Sequence, residues 1–184
     1  MAAVLATYVP QSESESADVA RLRRLVAEAD DPWTRASPLH VTGSAVVVHP
    51  PTGRVLLRWH ERMQAWLQVG GHADPGETDP FAIALREGVE ETGLSDLVGW
   101  PEAEHVIHVA VVPVTAGKGE PEHEHGDVRY ALATEQPEAV APENEAAELV
   151  WLTVEEAIER VGWDNLRTCL GRIATLLRER SPAR

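Results

Sequence analysis

Between Val19 and Val26 the apolar residues Val19, Leu22, Leu25 and Val26 recur at helical spacing, predicting an amphipathic helix over residues 16–30 that Asp31-Pro32 ends. The preceding residues 1–15, with Ser and Glu alternating at their end, read as irregular, and residues 32–39 read as a linker. The rhythm then changes to short β-branched runs. Ser44–Val48 and Arg54–Leu57 flank the turn Pro50-Pro51-Thr52-Gly53 and predict a hairpin; Trp66–Val69 predicts a third strand running into Gly70-Gly71. A helix is expected from Pro80 to Thr92, capped by Thr78 or Asp79, with Pro80 at its first position and Gly93 closing it. Val106–Val114 is the longest apolar stretch and predicts a central strand. Strands over 128–133 and 149–152 follow, separated by the polar loop 117–126 and the acidic loop 136–146. Thr153-Val154-Glu155-Glu156 is a capping box opening a helix, and Leu166, Leu170, Ile173 and Leu177 mark a last helix over 165–180. This order predicts a mixed α/β domain.

Composition narrows the classes. The 184 residues suffice for one domain with a full core, and the hydrophobic and charged contents, 43% and 25%, are those of an ordinary globular chain. No apolar run is long enough for a membrane helix, and the first ten residues lack the pattern of a secretory signal. Cys169 is the only cysteine, so neither an internal disulfide nor a cysteine-based zinc site is expected. Together these point to a cytoplasmic protein with no membrane partner. A net charge of −14 argues against polymeric nucleic acid, though a small phosphorylated ligand remains accessible through divalent metal.

The predicted helix over Pro80–Thr92 carries the chemistry. At about 100° per residue, Phe81, Leu85 and Val89 form an apolar stripe, flanked by Ala82 and Gly88. Glu87, Glu90 and Glu91, at i, i+3 and i+4, share another side. Like charges at that spacing repel, and hard divalent cations are their natural partners. Arg86, four residues before Glu90, is placed to hold it. A solvated acidic face is the bland alternative for such a helix.

The flanking residues resemble a known signature. Gly71, Glu77, Arg86-Glu87, Glu90-Glu91 and Gly93-Leu94 are similar to the Nudix box, over a span from Gly71 to Leu94. Two positions depart from it: eight residues separate Glu77 from Arg86 where the pattern has seven, and Gly88 replaces an aliphatic residue. The resemblance implies an α/β/α sandwich with a mixed sheet over residues 39–184, preceded by an added N-terminal helical extension and linker over residues 1–38. It implies a hydrolase cleaving a diphosphate linkage in a nucleoside diphosphate joined to another moiety. Mg²⁺ or Mn²⁺ would be held by Glu87, Glu90, Glu91 and the Gly70 carbonyl, and Arg86 would orient a glutamate. By the same resemblance Glu145, six residues before Trp151, becomes a candidate general base or further ligand, with Glu143 and Glu148 as rivals.

Other residues add candidates. Arg54, Arg58 and Arg62 precede the glycine loop, and one of them could clamp a phosphate. His125, Asp127 and Arg129 alternate and share a strand face, so they could contact substrate or a second metal; a polar loop entering an edge strand is the plainer reading, with His123 in it too. Trp66 and Trp100 read as core residues, and His105 and His108 as structural. Rival functions are a non-catalytic Nudix-fold sensor, an isopentenyl-diphosphate isomerase, which would need a cysteine at the pocket, and an acidic interaction protein indifferent to Mg²⁺. A homodimer through the N-terminal helix is compatible with the sequence but not required by it.

Overall fold

The computed structural model describes residues 1–180 apart from Lys118, Glu120 and Glu145. Two helices come first, α1 (Ala2–Thr7) and α2 (Glu13–Glu28). Strands β1 (Leu39–His49), β2 (Arg54–His60), β3 (Ala65–Leu67) and β4 (Val69–His72) lead to α3 (Pro80–Thr92). Then follow β5 (Val98–Trp100), β6 (His108–Val114), β7 (His123–Ala133), β8 (Leu149–Thr153), α4 (Val154–Arg160) and α5 (Asp164–Arg180).

The strands form one mixed sheet. β1 and β7 are its parallel centre, paired from Leu39↔Glu124 to Val48↔Ala133, and every other pairing is antiparallel. β2 and β4 share the other edge of β1, β8 and β3 pair with β2, and β5 and β6 occupy successive stretches of β7. One face packs α4 and α5, with Leu166, Cys169, Leu170 and Ile173 against Val46, Val48 and Leu57. The other packs α3, with Ile83 and Ala84 against Val41, Ala45 and Val47. The result is an α/β/α sandwich with a mixed sheet.

Several expectations need correction. α1 forms where irregular chain was expected: it is a single short amphipathic segment whose Leu5 is buried with Val19 and Leu22. α2 starts earlier than expected, because Ser12 caps it through Glu15 N–H at 3.2 Å. β6 is not central: among the described residues it pairs with β7 alone, and it is apolar because α2 covers it through Val19, Leu22 and Val109. β7, conversely, is no edge strand. It begins at His123, five residues before the apolar run that announced it. The buried ridge of α3 is Ile83, Ala84, Gly88 and Thr92 rather than Phe81, Leu85 and Val89, and Val89 is exposed. Small residues form that ridge because the helix lies close to the sheet: a Cβ on Gly88 would stand 3.1 Å from methyl groups of both Leu132 and Leu97.

The N-terminal helices are anchored by charge as well as packing. Glu15 is buried, and Arg172 of α5 donates to both its oxygens at 2.8 and 2.7 Å. Burial opposes ionisation of Glu15, but Arg172, the Gln11 N–H and Tyr8 outweigh it and hold the carboxyl at about 2. Among the described residues no helix is long and apolar enough to cross a membrane.

Candidate active site

α3 is built as expected at both ends. Asp79 accepts the Phe81 N–H at 3.0 Å, Pro80 occupies the first turn, and Gly93 closes the helix at φ 70°. The helix starts at Pro80, and Arg86, Glu87, Glu90 and Glu91 keep their helical spacing within it.

One guanidinium organises the cluster. Arg86 Nε and Nη2 donate to the two oxygens of Glu77 at 3.1 and 2.9 Å, a bidentate fork. Nη1 reaches Glu87 at 3.1 Å and Glu90 at 3.0 Å, and Nη2 also donates to the His72 carbonyl at 2.9 Å. Glu77 thus keeps its arginine partner despite the extra residue. That contact holds its carboxyl below the ordinary range.

Glu87 and Glu91 are held differently from Glu90. They border the buried ridge of the helix, and their side chains are 17% and 13% exposed, against 55% for Glu90. Burial raises the Glu87 carboxyl above its ordinary value and pushes Glu91 up to about 7, although Arg58 at 3.4 Å and the Gly70 N–H at 3.0 Å favour its ionised form. Glu87 lies against Gly71, where any Cβ would fall on its carboxylate. Half-buried carboxylates with raised proton affinity, gathered beside glycine backbone, suit a hard divalent cation that takes oxygen ligands. The donor set fits Mg²⁺ or Mn²⁺.

Of these groups Glu91, Gly70 and Gly71 line a cavity of about 350 Å³. Arg58 and Arg62 are also on its wall, and Met63 and Trp163 contribute apolar surface. Its floor is a buried polar network. Asp127 accepts from Thr42 at 3.1 Å, Ser44 at 2.9 Å, Gln68 at 3.1 Å and Arg129 Nε at 2.8 Å, and Arg129 in turn donates to Asn165 at 3.1 Å.

The structure therefore brings Gly70, Arg86, Glu87, Glu90, Glu91 and Arg58 together and puts Arg129 in the floor, neutralised by Asp127. Arg54 stands apart, exposed beside Thr153, about 13 Å back along β2 from Arg58 at the usual strand rise. Glu145 lies outside the described residues. Its rival Glu143 reaches Arg58 at 3.2 Å. Cys169 is buried in α5, where burial pushes its thiol up to about 11. Trp66 and Trp100 are half-buried against the core. Thr42, Ser44, Gln68, Trp163 and Asn165 escaped the sequence reading. The β1–β7 register brings Thr42 and Ser44 to Asp127, the link between β3 and β4 brings Gln68, and α5 delivers Asn165.

Comparison with known proteins gives the class. The family model described as NUDIX domain matches residues 38–169. The chain therefore belongs to the NUDIX family, as a hydrolase of the Nudix type. No curated protein matches it. Among solved structures it is similar to a C. elegans Ap4A hydrolase, at 21% identity and TM-score 0.60 over 76% of this chain and 98% of that one. It is also similar to the E. coli dihydroneopterin triphosphate pyrophosphohydrolase, at 20% identity and TM-score 0.56, covering 76% and 96% of the two chains. A third, the Nudix hydrolase RenU of M. smegmatis, matches at 21% identity and TM-score 0.55, covering 79% and 89%.

Proposed function

We propose that this chain hydrolyses a diphosphate linkage in a nucleoside diphosphate joined to another moiety, using Mg²⁺ or Mn²⁺ held by Glu87, Glu90, Glu91 and the Gly70 carbonyl. The observation that carries the reading is the carboxylate cluster held by Arg86 on α3, whose neighbour Glu91 lines a cavity together with Gly70, Arg58 and Arg62. When bound, the metal supplies charge neutralisation on the diphosphate and a lowered pKa for the attacking water. The chain's own residues do the rest. Arg86 fixes Glu87 and Glu90 and ties them to Glu77 and to the His72 carbonyl. Arg58, shared between Glu91 and Glu143, is positioned to exchange a carboxylate contact for a phosphate oxygen. The Asp127 network, in which four side chains donate to one buried carboxylate, gives the cavity a rigid floor. Glu145 is proposed as general base on the family resemblance alone. Two of the solved relatives carry names, Ap4A hydrolase and dihydroneopterin triphosphate pyrophosphohydrolase, that point to the same bond class.

The test is a product-release assay on nucleoside triphosphates, ADP-ribose, nucleotide sugars, dinucleoside polyphosphates and NADH, with Mg²⁺, with Mn²⁺ and with chelator. Metal-dependent cleavage of one class is expected and names the substrate. Absence of cleavage throughout, with a nucleotide still raising the melting temperature, would favour the non-catalytic sensor instead.

A further inference from the structure

Four histidines from three strands meet on the sheet face opposite α3, the helix that carries the carboxylate cluster. His40 of β1 is in register with His125 of β7, His123 lies two residues earlier on the same face, and His72 of β4 faces Thr42 of β1. One ring nitrogen from each lies within 4.8 Å of all the others. Their contacts run through a single atom type: His72 Nε2 is 3.1 Å from His40 Nε2 and 3.1 Å from His125 Nε2, and His125 Nε2 is 3.1 Å from His123 Nε2.

The far side of two rings fixes what those nitrogens carry. His40 Nδ1 lies 3.0 Å from the Ser37 carbonyl and His123 Nδ1 lies 2.9 Å from the Pro121 carbonyl. A carbonyl only accepts, so each Nδ1 is the donor, and in the neutral ring Nε2 presents a lone pair. Protons on His72 Nε2 and His125 Nε2 would satisfy the two outer contacts, but the His72–His125 contact, 3.1 Å between nitrogens, would then hold two donors and no acceptor. A cation at the centre removes the conflict, since all four Nε2 atoms then point lone pairs at it. A backbone carbonyl on the second nitrogen is also the usual support of a metal-bound imidazole.

We propose that His40, His72, His123 and His125 form a second metal site, distinct from the carboxylate cluster, that takes a tetrahedral first-row transition ion, with Zn²⁺ the best fit. Four imidazole nitrogens suit zinc and not magnesium. Zinc–nitrogen bonds of 2.0–2.1 Å in a tetrahedron place the nitrogens about 3.3 Å apart, close to the three contacts of 3.1 Å, with the remaining pairs within 4.8 Å. Four protein ligands close the coordination sphere, so the ion acts structurally. It would clamp the start of β1, the end of β4 and the start of β7. The His72 carbonyl is the acceptor for Arg86, so the clamp also steadies the loop that carries Glu77.

The experiment uses the full chain without an affinity tag, stripped by chelator and dialysed against Zn²⁺ in excess Mg²⁺, with bound metal measured by elemental analysis. Co²⁺ uptake is followed in parallel by visible absorption. One zinc per chain and an intense tetrahedral cobalt band are expected. Both should be lost in the double variant His123→Gln/His125→Gln and weakened at least tenfold in His123→Gln, a half-buried position. Glu90→Gln should retain both, which separates this site from the proposed catalytic metal. Circular dichroism guards against a misfolded variant, and the single variant carries the test if the double one fails to fold. Failure of the native chain to retain zinc over Mg²⁺, equal uptake by the histidine variants, or a weak octahedral cobalt spectrum would overturn the proposal.

Discussion

Arg86 binds Glu77, Glu87, Glu90 and the His72 carbonyl with one planar guanidinium. Lysine keeps the charge but not the fork. Arg86→Lys is therefore expected to lower kcat about 10- to 100-fold, the usual effect of losing a group that orients metal ligands; steady-state kinetics at saturating Mg²⁺ will show it. Glu91 makes a second prediction. Its carboxyl, about 7 in the fold, is raised by burial above its ordinary 4.5, so the fold is favoured while the group is protonated and loses that advantage as pH rises through 7. The metal-free protein should lose about 1–3 kcal/mol between pH 5 and pH 8 by this route. Mg²⁺ should restore it at pH 8 and not at pH 5, and Glu91→Gln should flatten the dependence; melting temperatures in chelator and in Mg²⁺ read all three.

Elements show where sequence was legible. The box helix could be read almost in full because cap, first-turn proline and closing glycine all act locally. Its buried face could not, because hydropathy favours large residues whereas a close helix–sheet approach favours Ala84 and Gly88. Gly88→Val should accordingly destabilise the protein by about 1–3 kcal/mol despite its better helix propensity, as overpacking does, and urea unfolding will measure it. β7 was seen only from Val128 because His123, His125 and Asp127 turn polar side chains to the site face, which erases the apolar run. Sequence showed two of the clustered histidines. His40 and His72 join them only through strand register, which spacing along the chain does not encode. Glu15 looked like one acid in a polar stretch, yet it is the buried partner of Arg172. Arg172→Ala should cost about 3 kcal/mol by leaving that carboxylate uncompensated. Glu15 sits at about 2 against an ordinary 4.5, so its contribution is complete above pH 4.5 and fades as pH falls toward 2; acid unfolding of the variant should start from a lower, flatter baseline.

At the scale of the molecule, the sheet sorts chemistry by face. The face that buries Val46, Val48, Ala131 and Ala133 under α4 and α5 also turns Thr42, Ser44, His125, Asp127 and Arg129 to the cavity, while the opposite face is apolar under α3, which brings Glu91 to the cavity wall. The net charge of −14 does not oppose an anionic substrate there if divalent metal screens the cluster. The most direct test of that account is a metal titration of diphosphate cleavage, on whichever substrate the panel selects, for the native chain and for Glu90→Gln and Glu91→Gln. The account predicts saturable activation by Mg²⁺ or Mn²⁺ in the native chain, and at least a 100-fold loss of kcat in both variants with their folds intact. Turnover that survives chelation, or that is unchanged in both variants, would contradict it.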